Sequence, residues 1–122
     1  MNKLILLLLF PLNIIAQEFI NSNSFDTKIA KGITVVEFWA EWNKSNEVPF
    51  LKDLKDCSSY KVCIVKNNDV QVKYKIMAIP TVIILDNGVE FQRFSPNIMM
   101  QLAATKKEVQ SVIDEITLNK FQ

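Results

Sequence analysis

The chain has 122 residues with 14 basic and 13 acidic side chains, a length that fits one small domain and a charge balance that offers no basic face for nucleic acid. It contains no histidine, which removes Ser-His and Cys-His catalysis and the commonest zinc ligand, and two cysteines alone do not make a four-ligand metal site. Gly32 and Gly88 are its only glycines, so no phosphate-cradling glycine-rich loop is possible, and no cofactor is expected.

Residues 1–16 read as a secretory signal peptide. Lys3 gives a positive start, Leu4 through Phe10 form an apolar run that continues, broken by Pro11 and Asn13, to Ile15, and Ala16 suits the cleavage position. The run is shorter than the roughly 20 apolar residues of a membrane span. No cysteine lies near the cleavage point to carry a lipid anchor. The expected product is a single domain of residues 17–122, exported to a periplasmic or extracellular location, off the membrane, where disulfides persist.

In that domain, Glu18 to Ile20 is a short first strand, and Asn23 or Ser24 caps a helix through Phe25, Ile29 and Ala30 that ends near Gly32. Ile33 to Trp39 is β-branched and aromatic, mostly apolar on both faces, and predicts a strand covered on both sides. Ser45 or Asn46 caps a second helix with Glu47 in its first turn, Pro49 near its start, and Val48, Leu51 and Leu54 on its core side. Tyr60 to Val65 is a strand, Val70 to Tyr74 a short helix, and Thr81 to Leu85 a strongly apolar strand. Asn87-Gly88 is a hairpin signal, with Val89 to Phe94 as the returning strand. Thr105 and Glu108 form a capping box for a final helix with the stripe Val109, Val112, Ile113, Ile116. The order β-α-β-α-β-α-β-β-α predicts an α/β fold, a mixed central sheet between two helix layers.

The residues carry a resemblance beyond that order. Ser24-Phe25-Asp26-Thr27 followed by Val35-Val36-Glu37-Phe38-Trp39-Ala40-Glu41-Trp42 resembles the thioredoxin run before its active site. Lys73-Tyr74-Lys75-Ile76-Met77-Ala78-Ile79-Pro80-Thr81 resembles the segment leading to that family's cis-proline, and Asn87-Gly88 its hairpin. The match covers nearly all of residues 17–122. It implies a thioredoxin-like fold, a cis peptide bond at Ile79–Pro80, and a groove beside Trp42, Ile79 and Pro80 whose backbone pairs with an extended protein or peptide segment. Glu37 matches a buried acidic position that assists proton transfer at the family's second cysteine.

The family reads Trp-Cys-x-x-Cys where this chain reads Trp42-Asn43-Lys44-Ser45-Asn46. Disulfide exchange requires a thiolate to attack a sulfur, and an Asn amide has no such nucleophile. Asn43 and Asn46 therefore exclude dithiol chemistry at this site. Cys57 falls at the negative end of the expected second helix and Cys63 inside an expected strand, and both places disfavour a thiolate. Buried unpaired thiols, a structural disulfide, or a displaced redox pair are the readings open for them. The expectation is a redox-inactive exported domain that binds protein or peptide, with a thiol–disulfide exchange protein using Cys57 and Cys63 as the alternative.

Ser95 to Ala104 looks like an insertion between the last strand and the last helix. Asn97 is expected to cap a helical turn with Ile98 and Leu102 on one face, which leaves Met99 or Met100 to line or cap the groove.

Overall fold

The computed structural model describes residues 17–121; the signal-peptide reading of residues 1–16 lies outside them. The element order is β1 (Glu18–Phe19), α1 (Ser22–Ile29), β2 (Ile33–Trp39), two 3-10 segments (Glu41–Asn46 and Leu51–Asp53), β3 (Ser58–Cys63), α2 (Asn68–Lys73), β4 (Thr81–Asp86), β5 (Val89–Phe94) and α3 (Lys106–Asn119). The five strands form one mixed sheet in the order β1-β3-β2-β4-β5. β1, β3 and β2 run parallel, while β4 and β5 are antiparallel to their neighbours.

β2 lies at the centre, and Thr34 to Trp39 are all buried. Strand alternation divides its side chains between two cores. Val36 and Phe38 join Phe25 and Ile29 of α1 and Val70 of α2 on one face. Val35 joins Val109, Ile113 and Ile116 of α3 on the other, with Val48, Leu51 and Leu54 from the β2–β3 connection. An aromatic cluster fastens α1 to the sheet, with the Tyr74 ring 5.2 Å from Phe25 and 6.0 Å from Phe38. The Thr105–Glu108 capping box starts α3 as expected.

Three expectations need correction. The cap of α1 is Asn21, whose side chain accepts from the Ser24 amide while Ser24 Oγ accepts from the Asn21 amide, so Asn23 and Ser24 lie inside the helix. The second α-helix is replaced by the two 3-10 segments, and Asn46 ends the first of them instead of capping a helix. Pro49 has no N–H and disfavours helical backbone in the residue before it, Glu47 is extended at ψ 150, and the Val48 amide is drawn to Glu37 Oε2 at 3.0 Å. β3 lies two residues earlier than its apolar run suggests, because its pairing with β2 sets Ser58 against Thr34 and Cys63 against Trp39. At the hairpin, Asn87 and Gly88 both take positive φ. Asn87 Oδ1 accepts from the Gly32 amide at 2.8 Å and the Asn87 amide donates to the Gly32 carbonyl at 2.9 Å, which clasps the end of α1's loop to the turn.

Glu37 is the charged group deepest in this fold, with no exposed surface. Burial raises its pKa to about 7, against the lowering effect of the Val48 amide and of Lys61, its register partner on β3. Lys61 is itself buried and ion-paired with Glu47. Glu37 Oε1 has no hydrogen-bond partner among the described residues. The folded state therefore holds this proton between pH values of roughly 4.5 and 7 where the unfolded chain releases it, so stability falls as pH rises through that window and is flat above it. The full penalty is at most about 3 kcal/mol. Urea midpoints measured at pH 5 and pH 8 should differ in this direction for the native chain, and Glu37→Gln should remove most of the difference; equal pH slopes in the two proteins would refute the assignment.

Candidate functional site

The loops that follow β2, precede β4 and follow β5 meet at one end of the sheet, and Asn43 joins them. Its side chain is buried at 8% exposure. Nδ2 donates to the carbonyl of Met100 at 3.0 Å and, more weakly, to that of Ile79 at 3.4 Å. Its Oδ1 accepts from Asn46 Nδ2 at 2.9 Å, and Asn46 Oδ1 lies 3.5 Å from Gln101 Nε2. The two residues at the expected cysteine positions thus form an amide chain. An Asn amide supplies two donors and an acceptor, and a thiol has only weak equivalents.

The Ile79–Pro80 peptide bond is cis. Ile79 and Pro80 are buried, and the Ile79 carbonyl accepts weakly from Asn43. Trp42 projects outward at 63% exposure. Between Trp42, Met77, Ala78, Ile79 and Met100 lies a small cavity of about 150 Å³.

Residues 95–104 form a closed loop, not the helical turn expected. The chain bridges itself at Pro96 and Leu102. Asn97 acts as the hub: its Oδ1 accepts from the Met99 amide at 2.9 Å and the Gln101 amide at 3.1 Å, while its carbonyl accepts from the Met100 amide. Such side-chain-to-backbone bonds are what lets Asn compete with helix formation. Ile98 and Leu102 consequently do not share a face: Ile98 is wholly exposed and Leu102 packs on the second core. Met100 turns inward onto the first core at φ 58, a left-handed conformation costing a non-glycine residue roughly 1–2 kcal/mol. Met99 stays 68% exposed. The residue that sequence reasoning passed over is Met77, 93% exposed beside the cis-proline loop, although it stands within the block that carried the family resemblance.

The cysteines do not form a second centre. Cys57 precedes β3, with no helix end beside it, and packs against the second core, where burial, with Asp56 adding to it, pushes its thiol up to about 11. Cys63 closes the opposite end of β3. Six residues of strand separate them by about 20 Å, far beyond the roughly 7 Å between Cα atoms that a disulfide spans. Both are unpaired thiols, and the possible disulfide is ruled out. Among the described residues, no cluster of three His, Cys, Asp or Glu side chains could hold a metal ion.

Asn43→Ala should destabilise the fold by about 1–3 kcal/mol, because it strips a buried amide from two carbonyls. Asn46→Ala, which breaks a more exposed link, should cost less. Denaturant titration gives the stabilities, and amide exchange at Met99 and Gln101 should quicken in Asn43→Ala as the loop loses its tie. Unchanged exchange would show that the 95–104 loop holds itself without Asn43.

The family profile described as Thioredoxin matches residues 16–115. The thioredoxin of Staphylococcus epidermidis is 33% identical over 76 residues, covering 57% of this chain and 73% of that protein. The thioredoxin of Staphylococcus aureus is 34% identical over 71 residues, covering 52% and 68%. Among solved structures, the N21Q mutant thioredoxin of Halobacterium salinarum aligns with a TM-score of 0.65 at 14% identity over 81% of this chain and 88% of its own. Malassezia sympodialis thioredoxin aligns at 0.58 with 19% identity over 82% and 90%, and both structures speak to the fold alone. With this profile match, these relatives and a mixed five-stranded sheet between helix layers, the chain belongs to the thioredoxin family.

Proposed function

We propose that this chain is an exported, redox-inactive thioredoxin-like domain that binds a protein or extended peptide, working in the periplasm or outside the cell. Export rests on the apolar leader of residues 1–16. Inactivity in disulfide exchange rests on Asn43 and Asn46, which carry no sulfur, and on the separation of Cys57 from Cys63.

The observation that carries the binding reading is the set of apolar side chains exposed around the amide chain. Trp42, Met77, Ile98 and Met99 are between 63% and 100% exposed, and they come from the three loops that the site brings together. Apolar groups gathered in this way mark interaction surfaces. Trp supplies broad contact area, and Met adapts its shape to a partner. These side chains stand beside the cis-proline backbone, which the resemblance makes the place of strand addition.

Two measurements test the reading. In an insulin turbidity assay with dithiothreitol, the chain should add nothing to the rate of the reductant, and changing Cys57 and Cys63 to Ser should alter nothing; a rate matching a thioredoxin control would restore the exchange alternative. On an array of extended peptides, the chain should favour those with apolar residues, and a Trp42→Ala, Ile98→Ser, Met99→Gln variant should lose about tenfold or more in affinity, since a few anchors dominate such surfaces. Equal binding by the variant, or none by the native chain, would overturn the proposal.

A further inference from the structure

A larger cavity, of about 480 Å³, lies apart from the exposed apolar face. Phe19, Trp39 and Cys63, which line it, are the last residues of the three parallel strands β1, β2 and β3. The chain leaves β1 and β3 toward the face covered by α1 and α2, and leaves β2 toward the opposite face, covered by α3. Ligands of open α/β sheets bind at such a point, outside the carboxyl ends of strands whose connections diverge. The volume lies within the range of small-molecule sites.

Its walls are aromatic and held in place. The Phe19 and Trp39 rings meet edge to face at 5.2 Å. The Lys61 ammonium lies 5.8 Å from each ring centroid and ties both rings to the ion pair with Glu47. The Asn67 side chain, buried at the cavity's edge, accepts from the Ser22 amide and donates to the Cys63 carbonyl. Trp39 is 8% exposed, and because its Nε1 is buried out of solvent reach, what the indole offers the cavity is ring surface. The rim carries one charge of each sign, Glu41 and Lys66, and neither is in an ion pair among the described residues.

An aromatic corner and a rim with one cation and one anion together describe a zwitterion attached to a ring. We propose that this cavity binds a free aromatic amino acid, its ring against Phe19 and Trp39, its carboxylate toward Lys66 and its ammonium toward Glu41. The site is separate from the exposed face of Trp42, and either can fail without the other.

The chain has two tryptophans, so a ¹⁵N-labelled sample gives two indole N–H signals, one for each site. Titrated with L-phenylalanine up to about 10 mM, a range that captures weak fragment binding, the Trp39 signal should shift saturably and the Trp42 signal should not. Lys66→Glu, at an exposed position, should weaken binding by about threefold, the worth of one surface charge contact. Phenylacetate and phenethylamine, each lacking one charge, should bind less well than phenylalanine. Cys63→Trp should fill the cavity and abolish the shift, and Lys66→Glu keeps the test decisive if that variant does not fold. No Trp39 shift, a shift confined to Trp42, or equal binding by phenylacetate would overturn the assignment.

Discussion

The Asn43 carboxamide is the contact on which the loop end of the sheet depends. Its Nδ2 spans the Ile79 and Met100 carbonyls, and its Oδ1 anchors Asn46. Three loops distant in sequence are thereby held around a buried polar group. Two backbone carbonyls buried there would each cost about 1–3 kcal/mol if left without a donor. The left-handed backbone of Met100 is tolerated in the same arrangement, because it turns the carbonyl toward Asn43 while the side chain packs into the first core. A cysteine at position 43 could supply only a weak S–H donor. The residue that stands at the expected cysteine position is thus the residue that fastens the loops.

How the central part of the fold could be read from sequence follows from how local its signals are. Ile33 to Trp39 is mostly apolar on both faces, and the strand has the same limits and is buried from Thr34 onward. Asn87-Gly88 needs only its own φ angles to make the turn, and Thr105 with Glu108 caps α3 through contacts three residues apart. The missed features depend on partners far away. Val48 carries helical spacing with Leu51 and Leu54, but the buried Glu37 takes its amide and Pro49 denies the helix its start. Asn97 has the chemistry of a helix cap, and it uses that chemistry to close a loop instead. Asn43 reads in sequence as a lost cysteine, because its gained partner Met100 lies 57 residues on.

The exposed side chains acquire their significance from this fastening. Ile98 and Met99 would be ordinary surface residues on a mobile segment, paying much of their contact energy back as lost freedom on binding. Held by Asn97 within the loop and by Asn43 beneath it, the backbone that presents them is already ordered. The Met side chains keep their own rotamer freedom, so the surface combines a fixed frame with adaptable tips.

The failed second helix also links the two proposed sites. A continuous helix after β2 would carry residues 41–54 as one rod. Two 3-10 turns broken at Pro49 send Glu41 to the rim of the aromatic cavity, Trp42 outward to the apolar face, and Asn43 inward to the amide chain. The backbone leaves helical geometry at Asn43, at φ −117 and ψ 25, so the first segment kinks there. Three consecutive residues can therefore point in three directions and serve three surroundings. Glu37 sets this geometry from below by binding the Val48 amide, and Lys61, its partner across the sheet, ties the connection to β3 through Glu47. The buried Glu37 carboxylate is thus the anchor of the connection from which the residues of both proposed sites project.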